Sequence, residues 1–325
     1  MLKFFNRINS ATPTKLKPVA PVDIDEISHL LQCPACFNPL KNRKSCNFCG
    51  VEFGKACGQP ILINFEKSIF QPQDFTEPVR LGDGMLKGGV LGTFIAKLTF
   101  GENRATWPAK KYFRNGLQKR LTPRLLVIGG GTATADIWDI YNVPNLQVVG
   151  VDIYPSYLTT LICDGHSLPF KSGSFDGVLV LSVLEHVLEP HIVVSEIFRV
   201  LKDDGLVLAE TPFMQQVHME AYDFSRFSFA GHRWLFRHFT QIDAGLGSGP
   251  GIALLWSIAH MWRSMGFRRS FAAILTAPFF WLRILDRFVS RGNALDGGCH
   301  FYFLGQKAAL PLAASDMPKY FRAFR

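Results

Sequence analysis

The sequence lacks an apolar run long enough to cross a bilayer as one helix. The two runs in its last quarter, residues 252–262 and 271–282, are separated by arginines, and Pro278 breaks the second. Each is much shorter than the roughly 20 residues that a membrane-spanning helix needs. The start of the chain also lacks the long apolar stretch of a secretory signal, which indicates a cytoplasmic protein, or one held on the cytoplasmic side of a membrane.

Charge is scarce as well, since 19% of the residues are charged and 48% are hydrophobic. This balance excludes a largely disordered chain, and 325 residues suffice for one large domain and one small one. The net charge of +9 favours anionic partners. Lysine is absent from residues 217–295, which contain nine arginines. This bias suits either recognition of carboxylate or phosphate groups or an arginine-rich solvated surface.

The chain has no internal repeat, and its composition divides it into five parts. These are a flexible start at 1–23, a compact module at 24–66, a linker and helical cover at 67–120, a main domain at 121–310 and a tail at 311–325. Within the main domain, residues 212–295 interrupt an alternation of strands and helices. We expect them to form a helical lid inserted before the last strand.

Four of the seven cysteines form two Cys-x2-Cys pairs, made of Cys33, Cys36, Cys46 and Cys49. Four thiolates are a complete tetrahedral set for zinc, and each tight pair aims two sulfurs at one ion. The spacing predicts a structural zinc site in a reducing compartment. Two separate redox pairs are the alternative, and Cys57 is expected to stand apart from the cluster.

Short apolar segments alternate with helical ones from residue 124 onwards. The predicted strands are 125–128, 147–151, 158–162, 177–181, 206–209 and 300–304, and the predicted helices are 132–141, 192–201 and 231–239. Continuous apolar strands of this length are typical of a parallel sheet that is buried on both faces. We therefore expect an α/β, Rossmann-like domain with a mostly parallel sheet and helices on both of its faces.

A nucleoside site is predicted where the first two of these strands end. Gly129, Gly130 and Gly131 allow a tight turn and a close approach of the backbone to a ligand. Asp152 ends the second strand, where a carboxylate can accept both hydroxyls of a ribose. These features alone fit a nicotinamide-dependent oxidoreductase as well as a methyltransferase, although Thr134 stands where a dinucleotide motif has its third glycine.

Later motifs separate these two classes. Residues 164–170 read Asp-Gly-His-Ser-Leu-Pro-Phe, 174–178 read Ser-Phe-Asp-Gly-Val, 184–187 read Leu-Glu-His-Val and 196–201 read Glu-Ile-Phe-Arg-Val-Leu. In this order they resemble the class I S-adenosylmethionine-dependent methyltransferases, of the type that includes the quinone-biosynthesis enzymes, over residues 125–211. The resemblance implies a seven-stranded sheet, S-adenosylmethionine as cofactor, and transfer of its methyl group by in-line displacement.

The resemblance also implies cofactor roles for particular residues. Gly129 and Gly131 would pass under the methionine part, Asp152 would hold the ribose, Asp164 would accept from the adenine amino group, and Ser182 would lie beside the sulfonium or the carboxylate. The complete predicted set is Gly129, Gly130, Gly131, Asp152, Ile153, Asp164, Gly165 and Ser182. Val127 stands where the family usually has an acid, and Ala133 is the last small residue of the glycine motif. These departures favour one alternative, a non-catalytic protein that binds S-adenosylmethionine.

The methyl acceptor is less well specified. Candidate bases are His186, His218 and Asp223, and the last two follow the fifth strand in a segment that can lie over the site. A local ion pair between Asp223 and Arg226 is the alternative to a catalytic role.

The cysteine module resembles zinc ribbons that precede some methyltransferase domains, including bacterial ribosomal-RNA guanine methyltransferases, where the ribbon helps to hold the substrate. Together with the basic stretch 101–124, it suggests an RNA-modifying enzyme as one alternative. Otherwise an anionic or amphiphilic acceptor is favoured. Residues 252–290 fit a buried helical cap best, and a membrane-surface contact or a partner interface are the alternatives.

Overall fold

The computed structural model describes residues 20–75, 99, 105–131, 137–219 and 221–323. The description is continuous through the cysteine module and, apart from two short gaps, through the main domain. Residues 1–19 of the predicted flexible start, much of the predicted linker and the first residues of the helix predicted at 132–141 lie outside the described residues. Of the described part of that start, the amide of Val22 donates to the carbonyl oxygen of Val148 (2.9 Å).

The cysteine module is a small unit that docks on the edge of the main domain. Its hairpin consists of β1 (Lys55–Ala56) and β2 (Gln59–Pro60). Leu31 pairs with Phe170 in an isolated bridge, and Ile61 pairs in parallel with Ile162. Leu31 belongs to the main buried cluster of the domain. The module therefore shares a hydrophobic interior with the domain.

Seven strands form the central sheet. They are β3 (Arg124–Ile128), β4 (Gln147–Asp152), β5 (Leu161–Ile162), β6 (Phe175–Leu181), β7 (Leu201–Pro212), β8 (Phe239–Ser248) and β9 (His300–Lys307). Their order is β5-β4-β3-β6-β7-β9-β8, and neighbours are parallel except at β9, which is antiparallel to β7 and β8. The mostly parallel, Rossmann-like sheet predicted from the sequence is confirmed. Because the chain moves from β3 out to β5 and returns beside β3 as β6, the switch point between β3 and β6 is where such sheets bind ligands.

Helices cover both faces of this sheet. They are α1 (Trp107–Gln118) and α2 (Trp138–Tyr141) on one face, and α3 (Pro190–Val200) on the other. On the first face, a Cβ at Gly177 of β6 would lie 2.9 Å from the ring of Phe113. The missing side chain thus lets α1 pack closely on the strand that leads into the predicted site.

Residues 212–295 are less uniformly helical than the sequence indicates. They contain α4 (Phe229–Leu235), β8, α5 (Pro250–Ser264), α6 (Arg269–Thr276), α7 (Leu282–Leu285) and α8 (Arg291–Ala294); α9 (Met317–Ala323) follows β9. β8 pairs with β9 along its length and belongs to the sheet. The strand was not predicted because its sequence has no continuous apolar run. Most of its residues are only half-buried and do not need to be apolar. The helical insertion therefore lies between β8 and β9.

The helical insertion buries one side and exposes the other. Its buried cluster includes Ile252, Leu255 and Leu282. The exposed large apolar residues, which we call the exposed apolar face, are Leu254, Met261, Met265, Phe267, Phe271, Ile274, Phe279, Trp281, Ile284, Leu285 and Phe288. The buried cap favoured by the sequence thus describes only one side of these helices. Among the described residues, no helix has both the length and the apolar character that a membrane crossing requires.

Candidate cofactor and acceptor site

The turn after β3 has no room for side chains. Gly129 has a φ of +72°, and a Cβ there would lie 2.3 Å from Cγ2 of Val183. A Cβ at Gly131 would lie 2.5 Å from the ring of Tyr154. The positive φ favours glycine at position 129, and at both positions an added side chain would displace a neighbouring side chain. Ala133 and Thr134, which continue the predicted motif, lie outside the described residues.

Asp152 ends β4 beside this turn. Its Oδ2 accepts a hydrogen bond from the amide of Gly131 (2.8 Å), and its Oδ1 accepts one from the amide of Ile153 (2.7 Å). Burial raises the pKa of Asp152 to about 6, although these amides act in the opposite direction. Tyr154 also hydrogen-bonds to this carboxylate, so the hydroxyls of a ligand would share its acceptor positions with the chain.

Asp164 follows β5, the strand next to β4, and is buried. Its Oδ1 accepts from the amide and the Nδ1 of His166, and its Oδ2 accepts from the hydroxyl of Ser68 at 2.5 Å. Burial alone would raise the pKa of Asp164, but these hydrogen bonds outweigh it and hold the pKa below its usual value. The carboxylate is therefore charged, and the chain itself already uses part of its accepting capacity.

The remaining predicted cofactor residues lie on the same edge of the sheet. Gly130 is buried under the turn, and Gly165 follows Asp164 directly. Ser182 comes after β6, is exposed, and has a φ of +53°; its amide donates to the carbonyl oxygen of Glu210 (2.9 Å). Strained non-glycine residues of this kind cluster at ligand sites. The structure thus brings the glycine turn, both acids and Ser182 to the carboxyl ends of four neighbouring strands, an arrangement that fits a nucleoside with a further charged group.

The three candidate bases also come together, over the carboxyl ends of β6 and β7. The Nε2 atoms of His186 and His218 lie 3.1 Å apart, and Nδ1 of His218 lies 3.4 Å from Oδ2 of Asp223. Asp223 accepts two hydrogen bonds from Arg226, which also donates to the carbonyl oxygen of Gln215 (2.8 Å). Burial alone would raise the pKa of Asp223, but the hydrogen bonds and charge of Arg226 outweigh it and hold the pKa below its usual value. The local ion pair considered from the sequence is therefore present, and it makes Asp223 a poor proton acceptor.

Glu185, which is absent from the predicted site, completes this cluster. Its side chain is fully buried, and neither carboxylate oxygen has a hydrogen-bond partner. Oε1 lies 3.4 Å from Nε2 of His186 and 3.9 Å from Nε2 of His218. Burial raises the pKa of Glu185 to about 8 and lowers that of His186 to about 4. The sequence could have indicated Glu185 as a site residue, because it stands directly before His186 in the Leu-Glu-His-Val motif.

Ser68, Tyr154 and His166 were also missed as neighbours of the site. His166 lies in the Asp-Gly-His motif, where its Nε2 accepts from the amide of Glu189 (3.1 Å), so Nδ1 carries the proton toward Asp164. Tyr154 is two residues after Asp152, close enough in sequence to have been considered. Ser68 is far from Asp164 in the chain, and no local pattern could have indicated their contact.

The sulfur atoms of the four clustered cysteines lie close together. The Sγ atoms of Cys33 and Cys49 lie 3.7 Å apart, and those of Cys36 and Cys46 lie 3.6 Å apart. All four sulfurs lie within 4.8 Å of one another. A zinc ion with Zn–S bonds of about 2.3 Å would place tetrahedral sulfurs about 3.8 Å apart. The cluster therefore has the donor set and spacing of a metal site.

Each cysteine pair is built as the same tight turn. The amide of Phe37 donates to the carbonyl oxygen of Cys33, and that of Gly50 donates to Cys46, both at 2.9 Å. Phe37 and Gly50 both have positive φ angles, of 59° and 74°. Cys57 is exposed and does not belong to the cluster.

Residues 126–209 match the family model described as a methyltransferase domain. This segment runs from β3 into β7 and contains the glycine turn, Asp152, Asp164 and Ser182. The matched part of the main domain is therefore similar to methyltransferase domains, and the seven-stranded, mostly parallel sheet is the fold that the sequence motifs indicate. The match supports S-adenosylmethionine-dependent methyl transfer and does not identify the acceptor.

No curated protein matches the chain. Phosphoethanolamine N-methyltransferase 2 of Haemonchus contortus, solved with S-adenosyl-L-methionine, is 17% identical, with a TM-score of 0.42 over 67% of this chain and 57% of that one. The 1,6-didemethyltoxoflavin-N1-methyltransferase of Burkholderia thailandensis is 14% identical, with a TM-score of 0.38 over 79% and 100%. The cyclase SpnF is 14% identical, with a TM-score of 0.39 over 73% and 100%. These similarities are too remote to carry an argument about substrate.

Proposed function

We propose that this protein transfers a methyl group from S-adenosylmethionine to an acceptor that enters beside the loop after β7. The observation that carries this proposal is the side-chain-free turn at Gly129–Gly131 next to two buried carboxylates at the ends of β4 and β5. Asp152 would accept the ribose hydroxyls, and Asp164 with Gly165 would bind the adenine edge. Ser182 would face the methionine part.

S-adenosylmethionine, when bound, supplies a methyl group that is already activated for displacement. The main tasks of the chain are then to orient the acceptor and to exclude water. His186 and His218 face the acceptor side of this site. Asp223 positions His218, because Arg226 keeps its carboxylate charged. This arrangement requires neither a covalent intermediate nor a nucleophilic side chain.

We also propose that Cys33, Cys36, Cys46 and Cys49 bind a structural zinc ion. The module is too small to fold on its own apolar core, so the metal would supply much of its folding free energy. Its docking on β5 brings the following residue Ser68 to Asp164. The zinc module would therefore help to shape the adenine end of the site.

The exposed apolar face suggests a membrane-surface role for the helical insertion. Arginines at positions 263, 268, 269, 283 and 287 accompany its apolar residues, a combination that suits anionic lipid headgroups and the acyl boundary. α5 also contacts the loop after β7, since Nε2 of Gln216 donates to the hydroxyl of Ser257 (2.9 Å). An amphiphilic acceptor could thus reach the site from a membrane surface.

The RNA-modifying alternative has less support in the structure. Of the basic residues in 101–124, Lys110 is buried 3.1 Å from Glu210, and Arg120 pairs with Asp176 at 3.2 Å. Arg124 donates to the carbonyl oxygen of Ser174. These three residues hold α1 and β3 in place, whereas Lys111 of α1 and Lys119 directly after it are exposed.

The deciding experiment is calorimetric titration with S-adenosylmethionine and with NADH, followed by transfer of labelled methyl groups into fractionated cell lysate. We expect binding of S-adenosylmethionine alone and label in one acceptor fraction. Binding of NADH without S-adenosylmethionine would overturn the proposal. Binding without transfer to any fraction would instead favour the non-catalytic alternative.

A further inference from the structure

The rings of His186 and His218 are oriented by acceptors on their outer nitrogens. Nδ1 of His186 lies 2.7 Å from the carbonyl oxygen of Tyr222. Nδ1 of His218 lies 3.3 Å from the carbonyl oxygen of Gln216 and 3.4 Å from the Asp223 carboxylate. Because these oxygens only accept hydrogen bonds, each neutral ring must carry its proton on Nδ1. Both Nε2 atoms are then unprotonated lone pairs.

These two lone pairs face each other and a carboxylate. The Nε2 atoms are 3.1 Å apart, and the unpartnered Oε1 of Glu185 lies 3.4 Å from one of them and 3.9 Å from the other. With Glu185 ionised, three electron-pair donors lie within 4.8 Å of one another and repel each other, and its buried carboxylate has no hydrogen-bond partner, which is costly. A cation at their centre resolves both problems. We propose that Glu185, His186 and His218 bind one divalent metal ion.

The distances suit such an ion. Two imidazole nitrogens about 2.1 Å from a metal lie about 3.0 Å apart at a right angle and about 3.4 Å apart in a tetrahedron. The observed 3.1 Å falls within that range, and the longer contact of Glu185 requires only a small shift of its carboxylate. The outer nitrogens also have the usual second contacts of metal-bound histidines, a backbone carbonyl and a carboxylate.

The donor set indicates the class of metal. Two imidazoles and a carboxylate, with no thiolate among the three, suit Mn²⁺, Co²⁺, Fe²⁺ or Zn²⁺ and leave coordination positions open. The histidine side chains are 17% and 23% exposed, so an ion and a ligand can enter from solvent. This site is distinct from the four-cysteine cluster, which lies on the cysteine module.

The metal site also narrows the acceptor class, a step that rests on the proposed function. A divalent cation lowers the pKa of a hydroxyl that it binds, which points to a hydroxyl-bearing acceptor. The acceptor's O–H bond would break and its proton would pass to solvent. Its oxygen would then form the new O–CH₃ bond while the S–CH₃ bond breaks and leaves S-adenosylhomocysteine.

The test counts Mn²⁺ bound to the full-length protein, prepared with one zinc equivalent in the four-cysteine cluster and no excess zinc, by the loss of the free Mn²⁺ signal in electron paramagnetic resonance. We expect one site per chain and an increase of the melting temperature on adding Mn²⁺. Glu185→Gln and His218→Gln should each weaken binding at least about 100-fold and abolish that increase. The matched control is Glu189→Gln with His191→Gln, an exposed Glu–His pair at the start of α3 with a 3.4 Å contact, and it should bind as the wild type does.

Absence of any bound Mn²⁺ in the wild type, or unchanged binding by both variants, would overturn the metal site. Glu185→Gln replaces an unpartnered carboxylate by a neutral group of the same shape, so we expect it to fold, and His218 lies on a loop. The readout does not require S-adenosylmethionine. A protein that binds Mn²⁺ but not S-adenosylmethionine would therefore refute the proposed function and leave the metal site standing.

Discussion

At the scale of single residues, the two proposed nucleoside ligands are electrostatically different. Asp152 accepts from neutral donors, the backbone amides and the side chain of Tyr154, and its burial dominates, so its pKa rises to about 6. Asp164 receives hydrogen bonds from His166 and Ser68, and its pKa falls below its usual value. We therefore expect Asp164 to stay charged across the physiological pH range, whereas Asp152 changes its charge close to the acidic end of that range.

Asp164→Asn should weaken binding of S-adenosylmethionine about 10- to 100-fold. The change removes a charged acceptor, and a hydrogen bond to a charged group is worth roughly 1.5–3 kcal/mol. Calorimetric titration measures the dissociation constant. Asp203→Asn is the control, because Asp203 is an exposed acid near the opposite end of β7. Equal affinity of wild type and Asp164→Asn would remove Asp164 from the site.

The affinity for S-adenosylmethionine should fall about tenfold between pH 7 and pH 5. Ribose hydroxyls donate to a charged Asp152, and a carboxyl with a pKa of about 6 is roughly nine-tenths protonated one pH unit lower. In the ligand-free protein the sign is reversed: because the folded pKa is raised, the contribution of Asp152 to stability is full below about pH 4 and is lost as the pH rises through 6.

Titrations at pH 5, 6 and 7 would measure this dependence, with Asp152→Asn as the reference. The variant cannot ionise at this position, so its affinity should be lower and nearly independent of pH. A pH dependence of the same size in Asp152→Asn would assign the titration to another group.

At the scale of secondary-structure elements, the sequence predicts what is locally encoded. β3, β4 and β6 are continuous apolar runs that end at glycine or polar residues, and those ends carry the predicted cofactor site. β8 was not predicted because it is an edge strand. Its residues are mostly half-buried and need not be apolar, so the sequence contains no continuous apolar run there. The contact between Ser68 and Asp164 was not predicted for a different reason. It depends on how two distant segments of the chain dock, and the periodicity of the sequence carries no information about docking.

Cys46→Ser should remove one zinc equivalent from the purified protein and lower its melting temperature. The sulfur lies 3.6 Å from Cys36 in a buried part of the cluster, and a serine oxygen cannot replace a thiolate in this tetrahedral set. Elemental analysis and thermal unfolding would measure both effects. Cys57→Ser, at an exposed cysteine outside the cluster, should change neither. Unchanged zinc content in Cys46→Ser would show that these cysteines are not metal ligands.

At the scale of the whole molecule, the site and the exposed apolar face are joined by one helix. α5 contributes Leu255 to the buried cluster and Leu254 to the exposed face, and its Ser257 binds Gln216 of the loop after β7. That loop also carries His218 and is held to Glu185, whose carbonyl oxygen accepts from the amide of Phe224 (2.8 Å). A surface that engages the exposed face can therefore influence the acceptor side of the site.

Trp281→Glu with Phe288→Glu should weaken binding to phosphatidylglycerol-containing vesicles by about tenfold or more. These side chains are 48% and 81% exposed, and burying a large apolar side chain at the acyl boundary is worth roughly 1.5–3 kcal/mol. Binding to purely phosphatidylcholine vesicles should be weaker, because each arginine near an anionic surface adds about 1 kcal/mol. Vesicle sedimentation at several salt concentrations measures both the apolar and the electrostatic contribution to binding.

Leu310→Glu is the matched control, since Leu310 is 82% exposed but lies outside the exposed apolar face. It should bind vesicles as the wild type does. A wild-type protein that stays in the supernatant with anionic vesicles would exclude the membrane role. If, in addition, the double variant changed the oligomeric state in gel filtration, the exposed apolar face would be a protein interface. An amphiphilic acceptor would then have to reach Glu185 and His218 from solution, because no bilayer would lie beside α5 to deliver it.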